Sequence, residues 1–359
     1  MFNRILIPLD GSALAERAIP HAEQFARIFK SNITLLQILD PTSTHEHLNP
    51  IDPLKWQIRK AEAELYMNGI AARLRENLRS NSLASPSQGG GTDTAEKEIR
   101  VDYALREGKT AENIVNFAHS ENIDLVVIST HGSGGFSRWN ISSITAKVVN
   151  LIYLPVLIVR AYHQPHPEDE RIHYRRILLP IDSSRRAECA LPAAIELARG
   201  KLIREAISET SVQSSPSDSQ LGTKLLLAAV IKPPELPIPE PHPAEITQLS
   251  EQLIHISRYA VNNYLNELKE RLPADCETCV LENSSISAAI QDLADQKEDI
   301  DLVVLCAHGH TGQSTWPYGS VARNYIEHGN KPVLIIQDVL RSQVRPTAAE
   351  IACEKSGRR

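Results

Sequence analysis

The sequence predicts an α/β protein built from two tandem domains, each a five-stranded parallel sheet with helices on both faces. Three observations carry that prediction. Short apolar runs alternate with amphipathic helical stretches, the pattern of a parallel sheet covered by helices. The runs occur twice in the same order. RILIPLDGS at 4–12 returns as RILLPIDSS at 176–184, an offset of 172 residues from Pro8 to Pro180. DLVVISTHG at 124–132 returns as DLVVLCAHG at 301–309, an offset of 177. Finally, 359 residues suffice for two domains that each bury a core.

In the first copy the strands are RILIPL (4–9), NITLLQIL (32–39), EIRVDYAL (98–105), DLVVIS (124–129) and PVLIVR (155–160). In the second they are RILLPI (176–181), KLLLAAVI (224–231), ETCVLE (277–282), DLVVLC (301–306) and PVLIIQ (332–337). Apolar residues at a period of 3.6 predict first helices at 13–29 and 186–198, and long second helices at 54–78 and 244–272. Even the proline in the first helix is duplicated, Pro20 against Pro192.

Drift in the offset locates the insertions. The second copy gains 20 residues before Val230, in a Ser-rich stretch around 204–224, and the first carries 15 extra residues within 80–97. Both read as surface loops. Residues 233–243 form a Pro-rich connector, 161–174 a linker, and the tail 339–359 reads as disordered. The domains are therefore expected at 1–162 and 174–338.

Hydrophobic content of 42% with 23% charged residues fits a soluble globular chain. A net charge of −6 argues against nucleic-acid binding through a basic face. No apolar run approaches the roughly 20 residues of a membrane helix, and the N-terminal residues lack a signal-peptide layout, so a cytoplasmic location is expected. Five cysteines, all in the second half, do not form a secreted disulfide framework. Cys276 and Cys279 make a C-x-x-C within a strand, where positions three apart face opposite sides, and read as structural.

Three duplicated clusters fall at strand carboxyl ends, where open parallel sheets bind ligands. Pro8, Leu9 and Asp10, with Pro180, Ile181 and Asp182, end the first strands. Ser129, His131 and Gly132, with Cys306, His308 and Gly309, end the fourth. Ser142 and Ser143, with Gly319, Ser320 and Val321, open the fourth helices, whose N–H groups and positive dipole end suit a phosphate. The aspartates can accept a hydrogen bond from a ribose hydroxyl or a base amino group. The bland alternative is helix capping by Ser, Gly and Asp; duplication of all three clusters favours an anion-binding nucleotide site. Gly108-Lys109-Thr110 is a turn into a helix, since a P-loop would need glycine where Tyr103 stands. His131 and His308 read as loop-positioning or phosphate-contacting groups, with no acidic residue evident to orient either ring. Trp139 and Trp316 read as packing residues.

These residues resemble the universal stress protein family in its tandem form. Its motif is a small residue, two residues, Gly, nine residues, then Gly-Ser or Gly-Thr. The second copy reads C-AH-G-HTGQSTWPY-GS (306–320) and the first S-TH-G-SGGFSRWNI-SS (129–143). The resemblance implies a fold like the adenine nucleotide alpha hydrolases, with strands ordered 3-2-1-4-5, and ATP or another adenine nucleotide, with or without Mg, bound by many members. It implies that Asp10 and Asp182 meet the adenosine end, Ile38 and Val230 flank adenine, Gly132 and Gly309 give the loop room near phosphates, and Ser143 and Ser320 bind them. It also implies a stress-response regulator with a protein partner rather than a dedicated enzyme, the closing strands pairing the two domains as a pseudo-dimer and a further homodimer left open. Ser142 departs from the motif, which would narrow the site if that position needs a positive φ or close phosphate approach. The second copy keeps Gly319, though it places Cys306 at the first motif position and lacks a glycine matching Gly108. Because Gly319 is kept, the second copy is the better candidate, with the first left open. The alternatives are a nucleotide-free interaction module, a slow ATPase, or an adenylating enzyme, the last requiring a richer glycine loop than PLDGS or PIDSS supplies.

Overall fold

The computed structural model describes residues 1–41, 52–80, 98–132, 141–162, 172–208, 222–235, 243–310 and 317–339, with backbone alone for 80 and 201–208. The loop expected at 80–97 (beyond Ser80), the core of the Ser-rich insertion, most of the Pro-rich connector and linker, Trp139, Trp316 and the tail from 340 lie outside the described residues.

The first half runs β1 (Arg4–Leu9), α1 (Ala13–Glu16), α2 (Ala18–Phe29), β2 (Asn32–Leu39), α3 (Pro53–Ser80), β3 (Val101–Glu107), α4 (Thr110–Ser120), β4 (Leu125–Ser129), α5 (Ser143–Leu151) and β5 (Val156–Val159). The second runs β6 (Arg176–Pro180), a 3-10 turn (Ala187–Ala190), α6 (Leu191–Ser208), β7 (Lys224–Ile231), α7 (Ala244–Arg271), β8 (Cys276–Glu282), α8 (Ile286–Gln296), β9 (Ile300–Cys306), α9 (Ser320–His328) and β10 (Val333–Ile336).

Each half keeps the expected order, β3-β2-β1-β4-β5 and β8-β7-β6-β9-β10, and the strands within each half are parallel. The two sets are not separate sheets. Antiparallel pairing of β5 with β10, Leu157 opposite Leu334, joins them into one sheet of ten strands. Both strands are entirely buried, and an apolar edge of that kind needs a partner.

The single first helix expected in each copy is broken in both. α1 stops at Glu16 and α2 begins at Ala18, while a 3-10 turn precedes α6. Pro20 and Pro192 explain this, since neither can donate to the carbonyl four residues back; both rings face solvent in the first turn of the following helix. α6 also continues to Ser208, into the stretch expected to be loop.

Alternate strand residues feed two cores. Ile5, Ile7, Ile177 and Leu179 pack beneath α2, α3, α6 and α7. Leu6, Val126, Leu178 and Val303 pack beneath α4, α5, α8 and α9. Cys276 belongs to the first face and Cys279 lies against the second, as their spacing requires. The halves also meet beyond the sheet. His21 Nδ1 lies 2.7 Å from the Tyr174 hydroxyl, and a Cβ on Gly200 of α6 would stand 2.9 Å from Ile28 of α2. Arg160, just past β5, donates to the carbonyls of Tyr325 (2.6 Å), Ile326 (2.8 Å) and Lys331 (3.3 Å) around the carboxyl end of α9.

Candidate functional site

In each half the strand order reverses between the first and fourth strands, and Asp10 and Asp182 stand just past the first. The register pairs Leu9 with Gln37 and Pro180 with Ala228. Continued by one and two residues, it sets Ile38 level with Asp10 and Val230 level with Asp182. Ile38 and Val230 are half-buried, and their inner sides rest on the α4/α5 and α8/α9 core. Pro8, Leu9 and Ile181 are buried and Pro180 is half-buried, directly behind the aspartates.

Both carboxylates are exposed, and Asp182 clasps the neighbouring loop. Asp182 accepts from the backbone N–H of Ser184 at 3.0 Å and of His310 at 2.6 Å. Asp10 accepts from the Ser12 N–H at 3.0 Å and its hydroxyl at 2.6 Å. A Cβ on Gly309 would lie 2.3 Å from Asp182 Oδ2, and one on Gly132 2.1 Å from Asp10 Oδ2. A Cβ at either position would push the carboxylate aside, which favours glycine for a reason beyond room for phosphate. The helix cap is not the aspartate: Ser12 and Ser184 accept from Ala15 and Ala187 N–H, each at 3.1 Å. A carboxylate has about four acceptor sites, so each aspartate retains acceptor capacity toward solvent.

The turn after the aspartate separates the halves. Gly11 has φ +81°, and its counterpart Ser183 adopts φ +62°. A left-handed residue with a side chain costs about 1–2 kcal/mol, and glycine returns part of that as unfolded-chain entropy. Ser183→Gly should therefore stabilise the protein by about 0.5–1 kcal/mol, read as a higher urea midpoint at unchanged slope.

The helix openings differ too. Ser142 caps α5: its hydroxyl accepts from Thr145 N–H at 3.1 Å and donates to Thr145 Oγ1 at 3.0 Å. Gly319 opens α9 with no side-chain cap, leaving a helix start clear of any capping side chain. The backbone frame is otherwise shared, with Ser142 N–H on Thr130 O and Gly319 N–H on Ala307 O, both at 2.7 Å. Neither position needs a positive φ; Ser142 has −61° and Gly319 −71°. The effect of Ser142 is thus on close approach and not on backbone conformation. Ser143 and Ser320 are exposed in the first turns, with Val321 half-buried behind Ser320. The missing counterpart of Gly108 is compensated: Gly108 turns with φ +118°, whereas Asn283 accepts from Ser285 N–H at 2.9 Å and Ser285 caps α8.

The histidines bring a correction. His308 Nδ1 lies 2.7 Å from Asp338 Oδ1, both side chains almost wholly buried, and Arg186 Nε stands 3.6 Å from the other oxygen. An acidic residue therefore does orient His308. His131 instead has Thr130 Oγ1 at 3.0 Å and Tyr162 edge-on at 4.9 Å. Repeat logic hid Asp338, because its counterpart in the first copy is Ala161. Ser129 is buried and Cys306 half-buried at the strand ends. Cys306 Sγ lies 3.1 Å from Cys189 Sγ, a pairing that no spacing rule would suggest. A cavity of about 240 Å³ lies elsewhere, between α5 and α9, lined by Ile141, Val149, Asn150, Tyr318 and Arg323.

A model of the universal stress protein family matches residues 1–160 and 173–337. The universal stress protein Sll1654 of Synechocystis is 30% identical over 162 residues, covering 44% of this chain and 86% of that protein. The universal stress protein YxiE of Bacillus subtilis is 25% identical over 171 residues, 45% of this chain and all of that one. A crystal structure of a universal stress protein from Archaeoglobus fulgidus superposes with a TM-score of 0.56 at 14% identity, covering 94% of this chain and 100% of that chain. At that identity the likeness bears on fold.

Proposed function

The chain belongs to the universal stress protein family, and from that premise we propose that its second half binds an adenine nucleotide, ATP, while its first half serves assembly. The protein then acts as a stress-response regulator, reporting occupancy to a protein partner through conformation and not through a dedicated reaction. The observation that carries this is the convergence of exposed Asp182, the Gly309 clasp and the uncapped start of α9 at the carboxyl ends of β6 and β9. The donor set fits the ligand: a carboxylate for ribose or base, half-buried Val230 for the ring, and helix N–H groups for phosphate. A magnesium ion would come on the nucleotide's own phosphates, since among the described residues no three His, Cys, Asp or Glu converge to hold one. The first half favours the nucleotide-free reading because the Ser142 hydroxyl is committed to Thr145.

No helix among the described residues is long and apolar enough to cross a membrane. Titration calorimetry with ATP should give one site per chain, and protein purified from cells should release adenine nucleotide on denaturation. Absence of both would remove the nucleotide reading and leave the interaction module. Multiple turnover of ATP at enzymatic rates would overturn the regulatory one.

A further inference from the structure

Cys189 lies on the 3-10 turn Ala187–Ala190, and Cys306 ends β9 where the chain turns into the His308-Gly309 loop. They are 117 residues apart in sequence, yet their sulfurs stand 3.1 Å from each other, and both residues are partly exposed. A disulfide has sulfurs about 2.0 Å apart, so a closing movement of about 1 Å would join them. The first half has Arg17 and Ser129 at these positions, so the pair belongs to the second half alone. Neither sulfur completes a metal cluster among the described residues.

We infer that Cys189 and Cys306 form a peroxide-reactive thiol pair, with Cys189 the attacking sulfur and Cys306 the resolving one. The two sulfurs share a hydrogen bond at 3.1 Å, which lowers the Cys189 pKa and raises that of Cys306; the Asp338 carboxylate raises both, and the His308 backbone N–H lowers Cys306. Reactivity follows the thiolate, which is the nucleophile. Cys189 attacks one oxygen of hydrogen peroxide, the O–O bond breaks, and hydroxide leaves with the bonding pair, giving a Cys189 sulfenic acid. Cys306 sulfur then attacks Cys189 sulfur, the S–O bond breaks, and the departing hydroxide takes the Cys306 proton as water. Two thiols lose two electrons and two protons, and the peroxide is reduced to two waters. The resulting link would tie the turn carrying Arg186 to the strand that leads into His308.

The test uses the reduced full-length chain, treated with hydrogen peroxide, alkylated, digested and mapped by mass spectrometry. A linked Cys189–Cys306 peptide is expected, with a loss of about 2 Da in the intact mass, reversed by a dithiol reductant. Dimedone should trap Cys189 in Cys306→Ser and leave Cys306 unlabelled in Cys189→Ser. The inference is overturned if both cysteines of the wild-type chain remain alkylatable, or if Cys276 and Cys279 link in their place. The wild-type map decides even where a serine variant fails to fold. Labelling of Cys306 in Cys189→Ser with none on Cys189 in Cys306→Ser would overturn the assignment of roles.

Discussion

Gly309→Val is expected to weaken ATP binding by about a hundredfold and to destabilise the protein by about 3 kcal/mol. The new Cβ would stand 2.3 Å from Asp182 Oδ2, and among the described residues, its chain neighbours aside, no other residue's atoms come within 4 Å of it. The carboxylate must move, giving up the His310 N–H and the position level with Val230. Charged hydrogen bonds of this sort are worth about 1.5–3 kcal/mol each, and overpacking adds about 1–3 kcal/mol. Asp182→Ala removes the obstructing group, so in that background Gly309→Val should cost below about 1 kcal/mol while ATP binding stays lost. Gly132→Val provides the control: it meets Asp10 at 2.1 Å and should destabilise similarly, with ATP affinity unchanged. Urea unfolding and calorimetry on the four variants check this. If Gly309→Val destabilised the chain but bound ATP normally, the clasp would be structural and the nucleotide site would lie elsewhere.

Much of this arrangement was legible because it was written twice. The strands β1, β2 and β7 match their expected bounds, and the fourth-helix starts at Ser143 and Ser320 were read correctly, since buried apolar runs and small polar caps are local signals. The break at Pro20 was visible as a residue but not as an interruption, because a proline three positions into a helix is allowed whereas one deeper is not. What duplication concealed were the differences between copies. Asp338, Arg186 and Cys189 match Ala161, Leu14 and Arg17 in the first copy, so a search for shared residues passes over them. Their partners are distant in sequence, 30 residues between His308 and Asp338 and 117 between Cys189 and Cys306. Only the folded sheet brings the exit of β9, the end of β10 and the turn after β6 together.

Beside the β5–β10 ladder, Arg160 ties the end of β5 to the carboxyl end of α9. Arg160→Ala should destabilise the whole chain by about 3–4 kcal/mol, among the larger effects of any single substitution. Its guanidinium is buried, donates to three carbonyls at and beyond the end of α9, and faces the negative end of that helix's dipole. Burial lowers its pKa to about 10, which leaves it charged at neutral pH. Removing it strands carbonyls that cost about 1–3 kcal/mol each when unpaired, partly offset by relief from desolvating the charge. Arg160→Met keeps the apolar stem and isolates the polar share, so it should lose about 2 kcal/mol. The corresponding residue of the second half, Gln337, donates to Pro317 O at 3.1 Å, and Gln337→Ala should cost about 1 kcal/mol. Because β5 and β10 share one sheet and both cores run across it, the wild-type halves should unfold together in urea. Arg160→Ala loosens α9 against β5, so its second half should lose protection in hydrogen exchange first, beginning at Tyr325 and Ile326. Equal loss in both halves, or a stability change below about 1 kcal/mol, would show that the β5–β10 ladder alone holds the joint.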